Sequence, residues 1–388
     1  MSSVHVDRQD AASVVGDDLE IPEELSRRRL RTRLALLVVL VLAVVAVVTL
    51  LPGLEGLRTR LSRANPGWLA LGVGLKVLSG LGYVAVFRMV FCRRMSWRVS
   101  YQVGMSELGA NALFPTGGAG GLALGAWALK RGGMPAAEIA RRTVAFFLLT
   151  SVPNVVGVIV VGVGLAVQVL PGETSLLLTL IPAAVAAMAV VGALLAGRAA
   201  AGLHLRLQRS EQAGSSRRSR AVLKALVAIA DGVNEAVALL REGNAWLLAG
   251  LLAYLVFDLM ILWATFRAFG SAPPLAIVWI AYLIGELGGL IPVPGGIGGI
   301  DAGLVGTFIL YGVPITSAAS AVLAYRAIAL WVPALLGAAA FVLLRRTLRN
   351  ESDQIAVCAP QTEIEVIGLG RVVIGTPRSD TADTNRVS

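Results

Sequence analysis

The chain is poor in charge for its length. Of its 388 residues, 15% are charged and 56% are hydrophobic, whereas an ordinary soluble domain is roughly 25% charged and roughly 45–50% apolar. So few charges do not supply the polar surface that a large soluble domain requires. The composition therefore predicts a membrane protein without a sizeable soluble domain.

Residues that carry enzyme chemistry are also scarce. The two histidines, His5 and His204, lie outside the long apolar segments, and the sequence contains no H-E-x-x-H zinc motif and no evident Ser-His-Asp grouping. The two cysteines, Cys92 and Cys358, give no metal-ligand spacing. We therefore predict no catalytic residue, no metal site and no cofactor, and we expect a transporter rather than an enzyme.

Patterns for binding nucleotides and nucleic acids are missing as well. The glycine runs at 117–121 and 295–299 are not followed by the Lys-Ser/Thr pair of a phosphate-binding loop. This argues against ATP as a direct energy source and leaves a proton gradient, an ion gradient or passive equilibration open. The formal charge of +10 comes from arginines at the ends of apolar segments, which argues against nucleic acid as a partner.

What the chain does contain is a series of long apolar segments. About 20 apolar residues in a helix cover the roughly 30 Å of hydrocarbon in a bilayer. These segments place a membrane domain at 34–346, between a polar leader at 1–33 and a polar tail at 347–388. Six spanning helices are predicted, at 34–51, 68–90, 143–169, 176–197, 245–266 and 317–344.

Two further apolar regions, 100–130 and 276–311, are interrupted by turn residues. Pro-Thr-Gly-Gly at 115–118 breaks the first, and Pro-Gly-Gly at 294–296 breaks the second. Each half is too short to cross a bilayer, and lipid tolerates a broken backbone only where protein or a wet cavity satisfies its polar groups. Both regions therefore predict re-entrant helical hairpins.

The basic residues orient the chain. Most fall on one side of the six-span arrangement, which the positive-inside rule makes cytoplasmic. Both termini are then cytoplasmic, and the protein crosses the membrane several times. The basic clusters that follow the rule lie at 27–33, 93–98, 130–142, 198–224 and 345–349, whereas Arg58, Arg60, Arg63 and Arg267 violate it.

A repeat runs through the membrane domain. Phe-Arg at 87–88 recurs at 266–267 and Glu-Leu-Gly at 107–109 recurs at 286–288, both after 179 residues. Without a gap, the same shift superposes Pro115 on Pro294, Gly117 on Gly296, Gly120 on Gly299, Gly133 on Gly312 and Pro135 on Pro314. Such periodicity indicates duplication.

The repeat defines two halves, at about 68–169 and 245–344, linked by the span at 176–197 and an amphipathic cytoplasmic helix at 221–242. An odd number of crossings separates the copies, so they are inverted. The predicted fold is thus an all-α integral membrane protein of six spanning helices and two re-entrant hairpins. Inverted repeats with broken helices are typical of secondary transporters, whose path lies between the repeats.

Charges within apolar segments are costly and usually pair or face water. The polar residues that we expect to line a path for a lipid headgroup are Glu107, Asn111, Glu286, Asp301 and Arg326, with Lys76, Arg142 and Asp258 as secondary candidates. The alternative is structural: Glu286 with Arg326, or Glu107 with Arg142, would neutralise each other and fix helix packing. Lys76 would either attract the same anion or extend outward to the interface, and Asp258 would be either its partner or a proton site. Likewise, Asn111 would either donate to a phosphate or satisfy the broken backbone.

The hairpin turns offer a second set of candidates. Their glycines either allow close helix packing or let backbone N–H groups at a helix N-terminus approach a lipid phosphate. The residues concerned are Pro115, Gly117, Gly118, Gly120, Pro294, Gly295, Gly296 and Gly299.

These hairpins carry a family resemblance. Glu107-Leu-Gly-Ala-Asn-Ala-Leu-Phe-Pro-Thr-Gly-Gly-Ala-Gly-Gly, then Pro292-Val-Pro-Gly-Gly-Ile-Gly-Gly-Ile-Asp, and Arg326 resemble the flippase-like transmembrane domain of lysylphosphatidylglycerol synthases. The resemblance covers about 30–346 and implies a bacterial inner-membrane protein that moves lipids between leaflets. The aminoacyl-transferase domain of full synthases has no counterpart here, so we expect no lysylphosphatidylglycerol synthesis by this chain alone.

We accordingly predict a flippase or scramblase for a phospholipid or a polyprenyl-phosphate-linked lipid. Its partners would be a membrane lipid with an anionic headgroup and a separate lipid-modifying or envelope-synthesis enzyme. Neutralising Glu107 or Glu286 should abolish lipid movement. Two alternatives stay open: a membrane glycosyl- or phosphotransferase acting on a polyprenyl lipid, and a non-transporting assembly or regulatory protein.

Overall fold

The computed structural model describes residue 59 and residues 62–113, 119–170, 176–212, 216–270, 272–288, 298–350, 363–366 and 370–373. The described part of the membrane domain is helical. Its helices are α1 Pro66–Phe91, α2 Trp97–Leu113, α3 Ala119–Arg131, α4 Ala136–Ala166, α5 Leu176–Arg198, α6 Ala200–Gln212, α7 Arg217–Arg241, α8 Ala245–Ala268, α9 Leu275–Gly288, α10 Gly299–Leu310 and α11 Ile315–Asn350. Outside it, β1 Glu363–Val366 pairs antiparallel with β2 Gly370–Val373.

Five of these helices are long and apolar enough to cross a membrane: α1, α4, α5, α8 and α11. They match five of the six predicted spans, and the sixth, at 34–51, lies outside the described residues. The ends of two helices differ from the prediction, because α4 begins at Ala136 and α11 continues to Asn350. The extra turns carry charges such as Glu138 and Arg345, which hydropathy alone excludes from a span.

The two interrupted regions each form a pair of short helices, as predicted. In the first pair, α2 and α3 have 17 and 13 residues, and in the second, α9 and α10 have 14 and 12. At 1.5 Å per residue each helix falls short of roughly 30 Å. The segments that join them, 114–118 and 289–297, lie outside the described residues.

Equivalent helices of the two halves begin with the same local structure. Asn65 caps α1 and Asn244 caps α8, and each side-chain oxygen accepts hydrogen bonds from the first backbone N–H groups of its helix. Gly133 and Gly312 both adopt a positive φ, of 83° and 78°, before α4 and α11. Each pair is 179 residues apart, so the repeat extends to the helix ends.

The two halves are inverted about the contact between α1 and α8. A Cβ placed on Gly82 would lie 2.8 Å from the backbone oxygen of Gly250, and Ser79 donates to the backbone oxygen of Tyr254 at 3.1 Å. Later residues of α1 therefore contact earlier residues of α8. Repeat-equivalent helices that run antiparallel along each other confirm the inverted arrangement.

The link between the halves contains the predicted amphipathic helix, which runs over Arg217–Arg241 as α7. Its buried face includes Ala230, Val233 and Ala236, while Val222 and Ile229 are exposed. The preceding helix, α6, was not predicted, since its few apolar residues alternate with charges. The division into leader, membrane domain and tail remains a prediction.

Candidate functional site

A buried carboxylate, Asp258 on α8, lies at the centre of a polar cluster between the halves. It is 6% exposed and forms an ion pair with Lys76 of α1. Its other oxygen accepts hydrogen bonds from the hydroxyls of Tyr282 on α9, at 3.0 Å, and Tyr325 on α11, at 3.2 Å. Four helices thus supply one network, which satisfies both oxygens of a carboxylate that would otherwise be costly to bury.

Lys76 also borders a small cavity of about 10 Å³, which is close to the space that one water molecule needs. The cavity lies where α1, α2 and α11 meet, and its other walls are formed by Gly80, Met105, Leu108, Val332, Pro333 and Leu336. The ammonium group is therefore enclosed by Asp258 on one side and by apolar side chains on another.

Next to this network is a more open group of charges. Glu286 of α9 is exposed and lies within electrostatic range of Asp258, Lys76 and Arg326. Arg326 of α11 contacts Asp301 of α10, with 3.0 Å between Nε and Oδ1. Three of the five primary candidates, Glu286, Asp301 and Arg326, are thus close to the secondary candidates Lys76 and Asp258.

Asp301 has a local structural role in addition to this ion pair. Its second oxygen accepts a hydrogen bond from the backbone N–H of Gly298 at 2.9 Å, at the start of α10. Gly298 has a φ of 90°, a conformation that favours glycine. Asp301 therefore both caps the second helix of the hairpin and holds the Arg326 guanidinium beside it.

The fourth candidate, Glu107 of α2, lies in a separate and closed environment. It is 1% exposed, and the Tyr83 hydroxyl of α1 is within hydrogen-bonding reach of its carboxyl. Its Oε2 has no hydrogen-bond partner among the described residues. Gly125 of α3 faces this oxygen, because a Cβ placed there would lie 2.9 Å away.

The fifth candidate, Asn111, supports the backbone of its own hairpin. Its Oδ1 accepts a hydrogen bond from the backbone N–H of Gly121 at 2.9 Å, near the start of α3. Of the two roles considered for Asn111, this geometry favours satisfaction of the broken backbone. Among the hairpin residues, Gly120 and Gly299 lie in the first turns of α3 and α10, whereas Pro115, Gly117, Gly118, Pro294, Gly295 and Gly296 lie outside the described residues.

Arg142 of α4 lies apart from these groups. It forms an ion pair with Glu138 at 2.6 Å and donates a hydrogen bond to the backbone oxygen of Phe91 at the end of α1. A cation at a helix C-terminus is favourable because the last carbonyls carry partial negative charge. The considered pair between Glu107 and Arg142 is therefore not formed, and the geometry assigns Arg142 to helix packing.

Sequence reasoning did not select the tyrosines and the serine that surround the two acids. Tyr83, Tyr254, Tyr282 and Tyr325 are apolar by hydropathy, so charge-based reasoning passes over them. One signal was present for Ser79, since it precedes Asp258 by the 179 residues of the repeat. Packing between helices places Tyr282 and Tyr325 beside Asp258 and places Tyr83 beside Glu107.

Comparison with known proteins agrees with this architecture. A relative described as a UPF0104 membrane protein, from Methanothermobacter thermautotrophicus (strain ATCC 29096 / DSM 1053 / JCM 10044 / NBRC 100330 / Delta H), is 35% identical over 95 residues, which are 24% of this chain and 26% of that protein. The aligned part thus spans about a quarter of the relative's length. The model of the family described as Lysylphosphatidylglycerol synthase TM region matches residues 35–337, well over half of the chain. The chain belongs to that membrane-protein family.

Proposed function

We propose that the protein is a flippase or scramblase that moves a phospholipid or a polyprenyl-phosphate-linked lipid between membrane leaflets. The observation that carries the proposal is the charge network at the crossing of α1 and α8. Lys76 and Asp258 form an ion pair where two inverted, repeat-equivalent helices meet. In transporters built from inverted repeats, the substrate site lies at the repeat interface near the bilayer midplane.

The open group of charges suits a lipid phosphate. Arg326 supplies a planar guanidinium that can bind phosphate oxygens in a bidentate manner, and Lys76 is a second cation within electrostatic range of Glu286. Glu286 and Asp301 would hold these cations in place and contact a hydroxyl or amine of the headgroup. The acyl chains would remain in the bilayer, and no covalent bond of the lipid would change.

The setting of the proposal is a multi-pass protein of a bacterial inner membrane with both termini in the cytoplasm. A separate lipid-modifying or envelope-synthesis enzyme would act on one leaflet and create the imbalance that transport relieves. Exposed apolar side chains on the spanning helices, among them Ile181 and Met188 of α5, suit the lipid-facing surface that this setting requires.

Purified protein in liposomes tests the function class. Headgroup-labelled phospholipids and polyprenyl-phosphate lipids would be placed in one leaflet, and their appearance in the other would be timed, with protein-free liposomes as the control. The lipids would then be recovered and analysed. Protein-dependent exchange of unmodified lipid supports the proposal, whereas a changed lipid indicates a transferase and no exchange across the panel favours an assembly or regulatory role.

A further inference from the structure

Glu107 and Glu286 occupy the same position in the two repeats but have opposite surroundings. Glu107 is 1% exposed, whereas Glu286 is exposed. The facing helices explain the difference. Gly125 leaves room for the Glu107 carboxyl, but its repeat equivalent is Leu304, which packs against Gly285 beside Glu286. The two carboxyls thus differ in what lies opposite them, a glycine at Glu107 and a leucine in the turn of α10 that faces Glu286 and its neighbour Gly285.

Within the part of the chain that the structure describes, no positively charged side chain is found to act on Glu107. The Tyr83 hydroxyl from α1 is its hydrogen-bonding neighbour, and Tyr254 from α8 is within electrostatic range. The neighbouring turns of α3 contribute Gly121 and Gly125. Lys76 and Arg326 instead act on Glu286.

These surroundings bear on the protonation state of the Glu107 carboxyl. A carboxylate that is buried without a cation costs several kcal/mol, and in practice such a group is neutralised by a proton. The neutral carboxyl can donate a hydrogen bond and needs no counter-ion. Burial without a neighbouring cation therefore favours the neutral, protonated form of Glu107.

A series of ionisable side chains leads from this pocket to the open group of charges. The rings of Tyr83 and Tyr254 are 5.5 Å apart. Tyr254 precedes Asp258 by one helical turn of α8, and Asp258 accepts the hydroxyls of Tyr282 and Tyr325. Hydroxyl groups both donate and accept hydrogen bonds, so these side chains are the candidates for a proton route between the two sites.

We propose that Glu107 is the proton-binding site that couples lipid movement to a proton gradient, while its repeat equivalent Glu286 faces the lipid headgroup. Duplication would have produced two equivalent glutamates. The later difference between Gly125 in the first copy and Leu304 in the second would have separated their roles. The coupling rests on the proposed lipid transport, but proton binding at Glu107 does not.

Infrared spectroscopy of the full chain in lipid nanodiscs tests proton binding without any transport. The native protein should show a protonated-carboxyl band at neutral pH that Glu107→Gln removes. Glu242→Gln should keep the band, because Glu242 is an exposed side chain paired with Arg93. Tyr83→Phe should keep the band but shift it, because its hydrogen bond changes. A Glu107→Gln spectrum identical to that of the native protein would overturn the proposal.

Proteoliposomes that contain a pH-sensitive dye test the coupling. An imposed proton gradient should accelerate lipid exchange by the native protein and by Glu242→Gln, and lipid movement should change the internal pH. Glu107→Gln should lose both responses. Lipid exchange by the native protein that neither responds to the gradient nor moves protons would overturn the coupling and leave the flippase function intact, whereas failure of all lipid exchange would overturn the flippase function.

Discussion

Ser79 and Asp258 are repeat equivalents that contact each other, with 3.4 Å between the serine Oγ and the aspartate Oδ1. In a symmetric pair, a residue that lies on the two-fold axis meets its own copy. This contact therefore marks the axis that relates the two halves. One copy carries a hydroxyl and the other a carboxylate, so the halves share a backbone arrangement and differ in charge where they meet.

The ion pair at this axis should contribute strongly to stability. Asp258→Asn keeps the shape of the side chain but leaves Lys76, 11% exposed, without its carboxylate. Removal of one partner of a buried pair costs about 3–5 kcal/mol, so the unfolding temperature in detergent should fall clearly. The double variant Lys76→Met with Asp258→Asn should recover part of the loss, and an unchanged single variant would show that the pair does not stabilise the fold.

Close packing of α2 on α11 gives a second prediction. A Cβ on Gly337 would lie 2.5 Å from the Cα of Gly109 and from the backbone oxygen of Met105, so Gly337→Ala must push two helices apart. Overpacking of this kind costs roughly 1–3 kcal/mol. Gly74→Ala is the matched control, because nothing lies within 4 Å of its Cβ position. Equal melting temperatures for the two variants would contradict the packing.

The equivalent helix caps give a third prediction. Asn244 accepts hydrogen bonds from the backbone N–H groups of Trp246 and Leu247, and Asn65 accepts one from Gly67. Replacement of either asparagine by alanine should lower the free energy of unfolding by about 0.5–2 kcal/mol. Replacement by aspartate should have a much smaller effect, since a carboxylate also caps a helix. Alanine variants that melt like the native protein would argue against the caps.

These caps show what the sequence predicts well. Helices of the repeat begin after Asn, Pro or Gly at matching positions, and such signals are local, so the spans and hairpins follow from hydropathy and turn residues. Charged residues at the start of α4 lower its hydropathy, so the predicted span omitted the first two turns of the helix. The antiparallel contact of α1 and α8 confirmed the inversion that the number of crossings implied.

The pairing of charges was harder to predict, because it depends on residues that are far apart in the chain. Asp258 contacts Lys76, 182 residues away, and Tyr325, 67 residues away. The sequence left open whether Asp258 is the partner of Lys76 or a proton site, and Tyr325 was not a candidate. Hydropathy ranks a tyrosine with apolar residues, and only the packing of four helices shows that two tyrosine hydroxyls complete the aspartate's hydrogen bonds.

Arg326 gives a prediction about substrate recognition. If its guanidinium binds the lipid phosphate, Arg326→Gln removes a charge-assisted hydrogen bond of about 1.5–3 kcal/mol, and exchange of anionic lipids should slow by roughly tenfold or more. Arg326→Lys should retain part of the rate. Arg209→Gln, an exposed position of α6, is the control for loss of positive charge. Native rates in Arg326→Gln would exclude Arg326 from the path.

Leaflet exchange by Glu286→Gln and Glu242→Gln in the same proteoliposome assay tests the central claim most directly. Both variants remove one exposed carboxylate, but only Glu286 lies beside Arg326, Lys76 and Asp258. Lipid that crosses between the repeats should stop crossing in Glu286→Gln and continue at the native rate in Glu242→Gln. Equal rates in the two variants would contradict a lipid path at this site.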